Sequence, residues 1–522
     1  MKPKIISVRI LIATVAILVT GCTKQDYEST QRLEQKPSID PNYADVTIPP
    51  NIAPMNFFIQ EEGDLFRITV TSSSNDAQLS IMSSDGIVQF PKDKWKELIG
   101  KSKGGKLKIQ IASSKEGENI LKQFQPIYMH VAKEPIDPYL TYRLLYPGYY
   151  SWYKMQIMQR SLEDFKEKSL VENQLLEMNC VNCHAFNQNN PNKFLLHIRG
   201  SKGGTYFMED GEITKTALKT ENMPGGATYP AWHPGGRYVA FSSNKVKQSF
   251  YAHPNKSIEV FDLVSALVMY DTQKNEMVYI REQDSINHMQ TFPGWSPDGK
   301  SLYFCRTRQV ENDYTVQNVK DIHYNLARKP FDPDSRSFGK TEIIFDAAKR
   351  NKSVSFPRIS PDGQYLVFTL HDYGTFPIWH KEADLYLLDL KTGEHKRMDI
   401  NSDETESYHT WSSNGKWLVF SSKRRDGRSA RPYFSWVGSS DNIGKPFVLP
   451  QKNPTRYQRM LRTFNIPEFV NGKIHFNPKD FARAASKNSL EAKAANPEDT
   501  PSQWRKTKKK EDTETEWGNI HE

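Results

Sequence analysis

Long apolar runs are scarce in this chain of 522 residues. After residue 19 no segment approaches 18 consecutive apolar residues, which excludes a membrane-spanning helix from the body of the chain. Charge of one sign is also scarce. The formal net charge is +9, three of those cations (Lys2, Lys4, Arg9) lie in the first nine residues, and the remainder is too dilute to support nucleic-acid binding. Common catalytic signatures are missing too: there is no Gly-x-Ser-x-Gly elbow, phosphate loop or dinucleotide fingerprint. Cysteine is limited to 4 residues. What remains is 37% hydrophobic and 12% aromatic, ordinary for globular, aromatic-rich β structure and long enough for several domains.

Three of the most informative residues lie together in Cys180-Val181-Asn182-Cys183-His184. Cys-x-x-Cys-His is the attachment signature of a c-type haem: the two thiols reach the two porphyrin vinyl groups, and the adjacent imidazole turns onto the iron as proximal ligand. The expected cofactor is therefore one covalent haem c, bound through Cys180 and Cys183 with iron on His184. A redox disulfide, half of a zinc site or a small structural bridge are the competing readings. No second Cys pair exists to complete a zinc site, and no βαβ pattern surrounds the motif as a thioredoxin-type site would require.

The N-terminus points to the same compartment. Residues 1–9 are basic without an acid, 10–19 are almost wholly apolar, and the stretch ends Leu18-Val19-Thr20-Gly21-Cys22. This reads as a secretory signal over residues 1–21 that resembles a lipoprotein box, with Cys22 as the lipidated first mature residue. Residues 22–44 are polar and aperiodic, as a tether would be. Cys305 is then the one thiol left over, and no intramolecular disulfide can form.

Residues 45–133 alternate apolar and polar in short β-branched runs, as in Leu65-Phe66-Arg67-Ile68-Thr69-Val70 and Lys106-Leu107-Lys108-Ile109-Gln110-Ile111. They predict a small β-sandwich-like domain. Residues 134–191 change period: Ser161 and two acids open a run with Leu162, Phe165, Leu170, Leu175 and Leu176, predicting a helix that leads into Cys180 and a short helical haem segment. That segment is too short for the usual cytochrome fold, so neighbouring domains are expected to complete the pocket.

Residues 192–476 contain a repeat at Tyr229-Pro230-Ala231-Trp232, Phe292-Pro293-Gly294-Trp295, Phe356-Pro357-Arg358-Ile359 and Tyr408-His409-Thr410-Trp411. Each copy continues through a Gly-containing turn into an apolar strand. A turn Gly in the left-handed region joins antiparallel strands, and a repeat that cannot bury both faces alone must stack and close into a β-propeller. Residues 194–218 and 460–476 look like partial blades that close the ring. Six blades are favoured over five or seven. Residues 477–522 are charged and poor in apolar residues, predicting a disordered tail.

Other residues carry weaker signals. The sixth iron ligand is sought in His197 first, with Met155 of the Met155 to Met158 stretch as the alternative, although a lone Met is usually core filler. The propeller histidines have no metal-ligand spacing and read as surface and turn residues. A copper or zinc centre built from blade ends is the alternative. Cys305 aligns with Ser242, Thr369 and Ser421 and reads as a buried strand thiol. Tyr229, Phe292, Phe356 and Tyr408 precede equivalent strands, and inter-blade packing is preferred to a ligand-binding ring of aromatics.

The propeller repeat resembles that of TolB-like proteins. With Pro147-Gly148-Tyr149 and Asn182-Cys183-His184-Ala185-Phe186, the whole chain resembles a family of Bacteroidetes lipoproteins that pair a TolB-like propeller with a Cys-x-x-Cys-His haem motif. The resemblance implies electron transfer in the bacterial envelope; with lipid on Cys22 the chain is expected at the outer membrane, on its periplasmic or surface face, with a redox or envelope protein docking on the propeller and, from its dilute charge, no nucleic acid. It implies a carrier or binding protein rather than a catalyst. Two alternatives stand beside it: an envelope binding or assembly scaffold with a structural or sensory haem, and a haem-plus-propeller oxidoreductase with a second cofactor on the axis. TolB-like propellers also precede hydrolase domains in some peptidases, and no such pattern follows the repeats here.

Overall fold

A computed structural model describes residues 29–149, 153–221, 223–251, 256–282, 287–309 and 318–495. The signal segment, Cys22 and the first part of the tether lie outside the described residues, as does the end of the chain.

The four-residue pattern that repeats from Tyr229 onward forms the inner strand of a blade each time, and the chain closes into six blades. Blade 1 is Cys180–Phe186, Lys193–Arg199, Gly204–Glu209 and Glu212–Ala217. Blades 2 to 5 begin on Ala227–Trp232, His288–Trp295, Ser353–Ile359 and Glu406–Trp411. In blade 6 the inner strand Thr463–Val470 pairs with Tyr139–Leu145, followed outward by Gln156–Ser161 and Glu167–Glu172. The last blade thus joins a late strand to three early ones, and its inner strand contacts that of blade 1, closing the ring. The turn glycines Gly236, Gly299, Gly363 and Gly415 have φ of 70°, 71°, 72° and 66°, the left-handed conformation expected of them.

A second regularity joins the blades. The indole N–H groups of Trp232, Trp295 and Trp411 donate to the carbonyls of Ala185, Ala231 and Arg358 on the inner strand of the preceding blade, at 3.2, 3.1 and 3.1 Å. The repeat tryptophan therefore both fills the space between blades and satisfies its one polar group there.

The helix expected from Ser161 to Asn179 does not form. Those residues lie at the end of the Gln156–Ser161 strand, in the Glu167–Glu172 strand and in a single 3-10 turn, Asn173–Leu176. Pairing with the strand Tyr139–Leu145 satisfies the backbone of a sequence with only moderate helical periodicity, so tertiary pairing overrides it. The haem motif accordingly lies in a strand, and residues 134–191 are shared between blades 6 and 1 rather than forming a segment of their own. Residues 194–218 are likewise the outer part of a full blade.

Two further boundaries move. Part of the expected tether is ordered: Ser29–Arg32 pairs with Ile120–Gln123, Ile39–Asp40 with Ile59 and Phe58, and Tyr43 is fully buried. At the other end, Asn477 caps the helix Pro478–Ala485 through a reciprocal capping box with Asp480. Leu490–Glu491 and Lys493–Ala494 then add to the outer edges of blades 1 and 2, covering exposed strand edges. Charge composition alone does not reveal such edge pairing.

The N-terminal domain is β-sandwich-like as expected. A seven-stranded and a three-stranded sheet share one core with the helix Lys92–Lys101, whose Trp95, Leu98 and Ile99 are buried. That core continues without interruption into blades 4, 5 and 6. Arg425 of blade 5 takes both oxygens of Asp40 at 2.8 and 2.5 Å, and the Trp417 indole donates to Glu134 O at 3.2 Å.

Candidate functional site: the axis and the Cys-x-x-Cys-His strand

Each inner strand carries a bulge in which two residues face one on the next strand. The pairs are Tyr229–Pro230, Phe292–Pro293, Phe356–Pro357, Tyr408–His409 and Ile466–Pro467, and the first residue of each has φ between 49° and 54°. Bulky residues adopt that conformation at a cost. The bulges push these side chains toward the axis, where the rings meet: Phe292 and Phe356 centroids are 4.1 Å apart, Tyr229 and Phe292 4.5 Å, Phe356 and Tyr408 5.0 Å. The repeat aromatics therefore sit within the inner strands rather than before them, and they pack on one another across the axis as a constriction.

In blade 1 the bulge is Asn182–Cys183, opposite His197. It is the one bulge of the six without a left-handed residue, so the motif departs from the repeat in conformation as well as composition. The residues opposite the other bulges are Phe241, Phe304, Phe368, Phe420 and Tyr142, all buried. His197 thus stands where the other blades have a buried aromatic, but is itself only half-buried. Its Nδ1 lies 3.2 Å from the Thr205 hydroxyl, burial pushes its pKa down to about 3, and among the described residues no hydrogen bond or ring contact links it to Cys180, Cys183 or His184. Met155 is the candidate that the fold brings to the motif: it is fully buried and clusters with Leu145 and Cys180. Met158 instead belongs to the large core shared with the N-terminal domain.

All seven residues of the strand Cys180–Phe186 are buried. Arg143, from blade 6, reaches the motif: its Nη1 donates to Asn182 Oδ1 at 3.3 Å, and its Nη2 lies 3.5 Å from both Cys180 Sγ and Met155 Sδ. Burial raises the Cys183 pKa, partly offset by the cations Arg199 and Arg143. Both ring nitrogens of His184 are buried and neither makes a well-aligned hydrogen bond, although the backbone at Thr141 and Ile466 is close enough to act on the ring. Burial lowers its pKa to about 3, only partly opposed by the backbone at Thr141 and Ile466. Glu468 Oε2 lies 3.8 Å from His184 Nε2, while Oε1 accepts from the Phe186 amide at 2.9 Å. Burial raises the Glu468 pKa to about 8. The pair is therefore a neutral acid facing a neutral imidazole at pH 7, not an ion pair.

On one side of the constriction lies an axial cavity of about 490 Å³, reached by His184, Arg358 and Glu468. Cys183 faces a second space of only about 40 Å³, beside Tyr229, Phe292, Phe356 and Tyr408. Cys180 packs on Leu145 and Met155. Two thiols and a neutral imidazole are the donor types of a c-type haem. The space beside Cys183, about 40 Å³, is far smaller than a porphyrin, so the enclosure at the thiol end does not accommodate one in this conformation.

Sequence reasoning did not find Arg143, Arg358 or Glu468, because each comes from a different blade than the motif. Arg358 left one usable signal: it stands where the aligned repeats have Ala231 and Gly294. Among the described residues no group of three or more His, Cys, Asp or Glu side chains is arranged to hold a metal ion. Of the propeller histidines, His371 and His380 stack edge-on at 5.2 Å, His380 contacts Glu259 and Glu382 at 3.4 and 3.0 Å, and His253 lies outside the described residues. Cys305 is a fully buried strand residue, as its place in the repeat implied.

No family model matches the chain. An uncharacterized peptidase, YuxL of Bacillus subtilis, is 25% identical over 215 residues, which is 37% of this chain and 29% of that protein; the match spans less than a third of the relative's length. Among solved structures, TolB from Acinetobacter baumannii is similar with a TM-score of 0.40 at 12% identity, over 70% of this chain and 79% of that one. A nidogen/laminin complex gives 0.39 at 10% identity, over 64% and 100%. Hydrazine synthase of Kuenenia stuttgartiensis gives 0.30 at 14% identity, over 50% and 64%. The propeller is established by its own strand pairing, and no activity passes to this chain from these likenesses.

Proposed function

We propose that this chain is a monohaem c-type cytochrome of the bacterial envelope, held to a membrane through lipid on Cys22, with the propeller as docking platform for a redox partner. The observation that carries the reading is His184: a buried, neutral imidazole with no well-aligned hydrogen bond at either nitrogen, next to two thiols on the one inner strand that departs from the repeat. Cys180 and Cys183 would hold the haem and His184 its iron. Met155, packed on Cys180, is favoured over His197 as the second ligand. Such a haem supplies one-electron transfer. Arg143 contributes a buried cation at the thiol end, and the neutral Glu468 leaves His184 uncharged. Among the described residues no helix is long and apolar enough to cross a membrane, so anchoring rests on the N-terminal segment, with lipid on Cys22 expected at the outer membrane.

The test is a pyridine haemochrome assay with haem staining after denaturing electrophoresis. One haem per chain is expected, lost when Cys180 and Cys183 are both replaced by Ser. An absence of stain in protein produced with haem-attachment machinery, or staining that survives both changes, overturns the assignment. A binding scaffold is the second reading, favoured by the axial cavity on the side of the constriction away from Cys180.

A further inference from the structure

The first residue after each bulge occupies the same position in the six inner strands: His184, Ala231, Gly294, Arg358, Thr410 and Glu468. All six line the axial cavity of about 490 Å³, a volume within the range of about 300–1,000 Å³ usual for small-molecule sites. The ring is unequal. Ala231 brings only a methyl group to the ring, Gly294 brings none because a Cβ there would lie 2.7 Å from Pro357 O, and Arg358 follows in the next blade.

Arg358 is held by one end only. Its Nη1 donates to Pro357 O at 3.1 Å and Pro293 O at 3.5 Å, and among the described residues no carboxylate lies within ion-pair distance of it. The acid of the same ring, Glu468, is engaged by the Phe186 amide and faces His184. Glu468 acts on the Arg358 guanidinium electrostatically but stays beyond ion-pair distance; an enclosed, incompletely paired guanidinium is costly, and its planar fork matches a carboxylate. The next residues along the strands include Trp232, Trp295 and Trp411, which also line the cavity. Their indole N–H groups are already given to backbone carbonyls, so the part of each that reaches the cavity adds apolar surface and no competing donor.

We propose that the axial cavity is a binding site for an organic carboxylate with an apolar, ring-containing body, its carboxylate taken by the Arg358 guanidinium and its body by the tryptophan walls on the Ala231–Gly294 side. The site lies beyond the aromatic constriction from Cys180 but shares His184 with the proposed haem site, so binding is read in the Cys180→Ser/Cys183→Ser chain as well as in the unmodified one.

Calorimetric titration of the full chain with 2-naphthoate and with its neutral isostere 2-naphthamide tests this. One naphthoate per chain is expected, at least tenfold tighter than the amide. Arg358→Gln should lower naphthoate binding to the level of the amide. Ala231→Leu, which fills the cavity without touching the cation, should weaken both by tenfold or more, and it decides the matter if Arg358→Gln does not fold. Equal binding of naphthoate and naphthamide, no naphthoate binding at millimolar concentration, or binding unchanged in Ala231→Leu overturns the proposal. Haem staining reads Cys180 and Cys183, so the two proposals fail separately.

Discussion

Asp262 lies on the Ile258–Asp271 strand of blade 2, buried, with its carboxylate accepting from Asn244 Nδ2 at 2.8 Å and the Tyr324 hydroxyl at 3.1 Å. Burial outweighs those bonds and pushes its pKa up to about 6 from 3.8. A carboxyl whose folded pKa lies above its unfolded value carries no penalty below pH 3.8, where both states are protonated. As pH rises from about 4 to 6 the unfolded chain releases a proton that the folded chain keeps, so stability falls, and the full penalty of about 3 kcal/mol is present above pH 6. Asp262→Asn should therefore lose less stability than the unmodified protein between pH 4 and pH 7, by about 2–3 kcal/mol, in denaturant titrations at the two pH values. Parallel losses would show that this carboxyl is ionised throughout. Cys305 makes a second case at this scale. It takes the place of Ser242, whose Oγ accepts from the Phe292 amide of the next blade at 2.9 Å, and the Phe356 amide stands in the same relation to the Cys305 sulfur. Cys305→Ser should change stability by no more than about 1 kcal/mol, because the hydroxyl inherits that amide. A loss of several kcal/mol in thermal or denaturant melts would rule out the equivalence. The Cys-x-x-Cys-His residues were legible in sequence because the chemistry they imply is local in the chain. Arg143, Arg358 and Glu468 were not, because their meeting with the motif depends on ring closure.

The inner strand is where sequence repeat and function come closest. A Pro follows the left-handed residue in four of the six bulges, at Pro230, Pro293, Pro357 and Pro467, fixing the chain where it leaves ladder pairing. The ring aromatics that result are structural in energy and define the axis in shape. Phe356 contacts Tyr229, Phe292 and Tyr408, so Phe356→Ala should cost about 3–5 kcal/mol and join the two axial spaces into one. A loss below about 1 kcal/mol by chemical denaturation would mean that the constriction is slack. The pattern of these strands was readable from the sequence, but their position was misplaced by a few residues. A bulge has no signature in hydrophobic period, since two residues face one and the alternation breaks. The helix expected before Cys180 failed for a related reason: its apolar residues suit a strand on a blade edge equally well once a partner is present.

For the molecule as a whole, the N-terminal domain and the propeller share one core through blades 4 to 6 and are pinned by the Asp40–Arg425 pair. They should unfold together in a single calorimetric transition, and two resolved transitions would contradict a common core. Because blade 6 joins strands from residues 139–172 to one from 463–470, the ring cannot close until the last inner strand arrives. The sequence by itself determined the class of the molecule, a β-propeller through its repeats and turn glycines with six blades favoured over five or seven, the β-sandwich-like domain through alternation, and the Cys180, Cys183 and His184 motif. Each of these is written in short-range pattern. Tertiary structure alone decided which strand completes blade 6, that residues 29–44 and 477–495 are ordered, that Met155 packs on Cys180 while His197 stands across the strand from the Asn182–Cys183 bulge, and that Arg358 and Glu468 face one cavity with His184. Such contacts join residues more than three hundred positions apart, as in Tyr139 and Val470, and they form because backbone pairing and apolar burial around a closed ring leave no other place for those side chains.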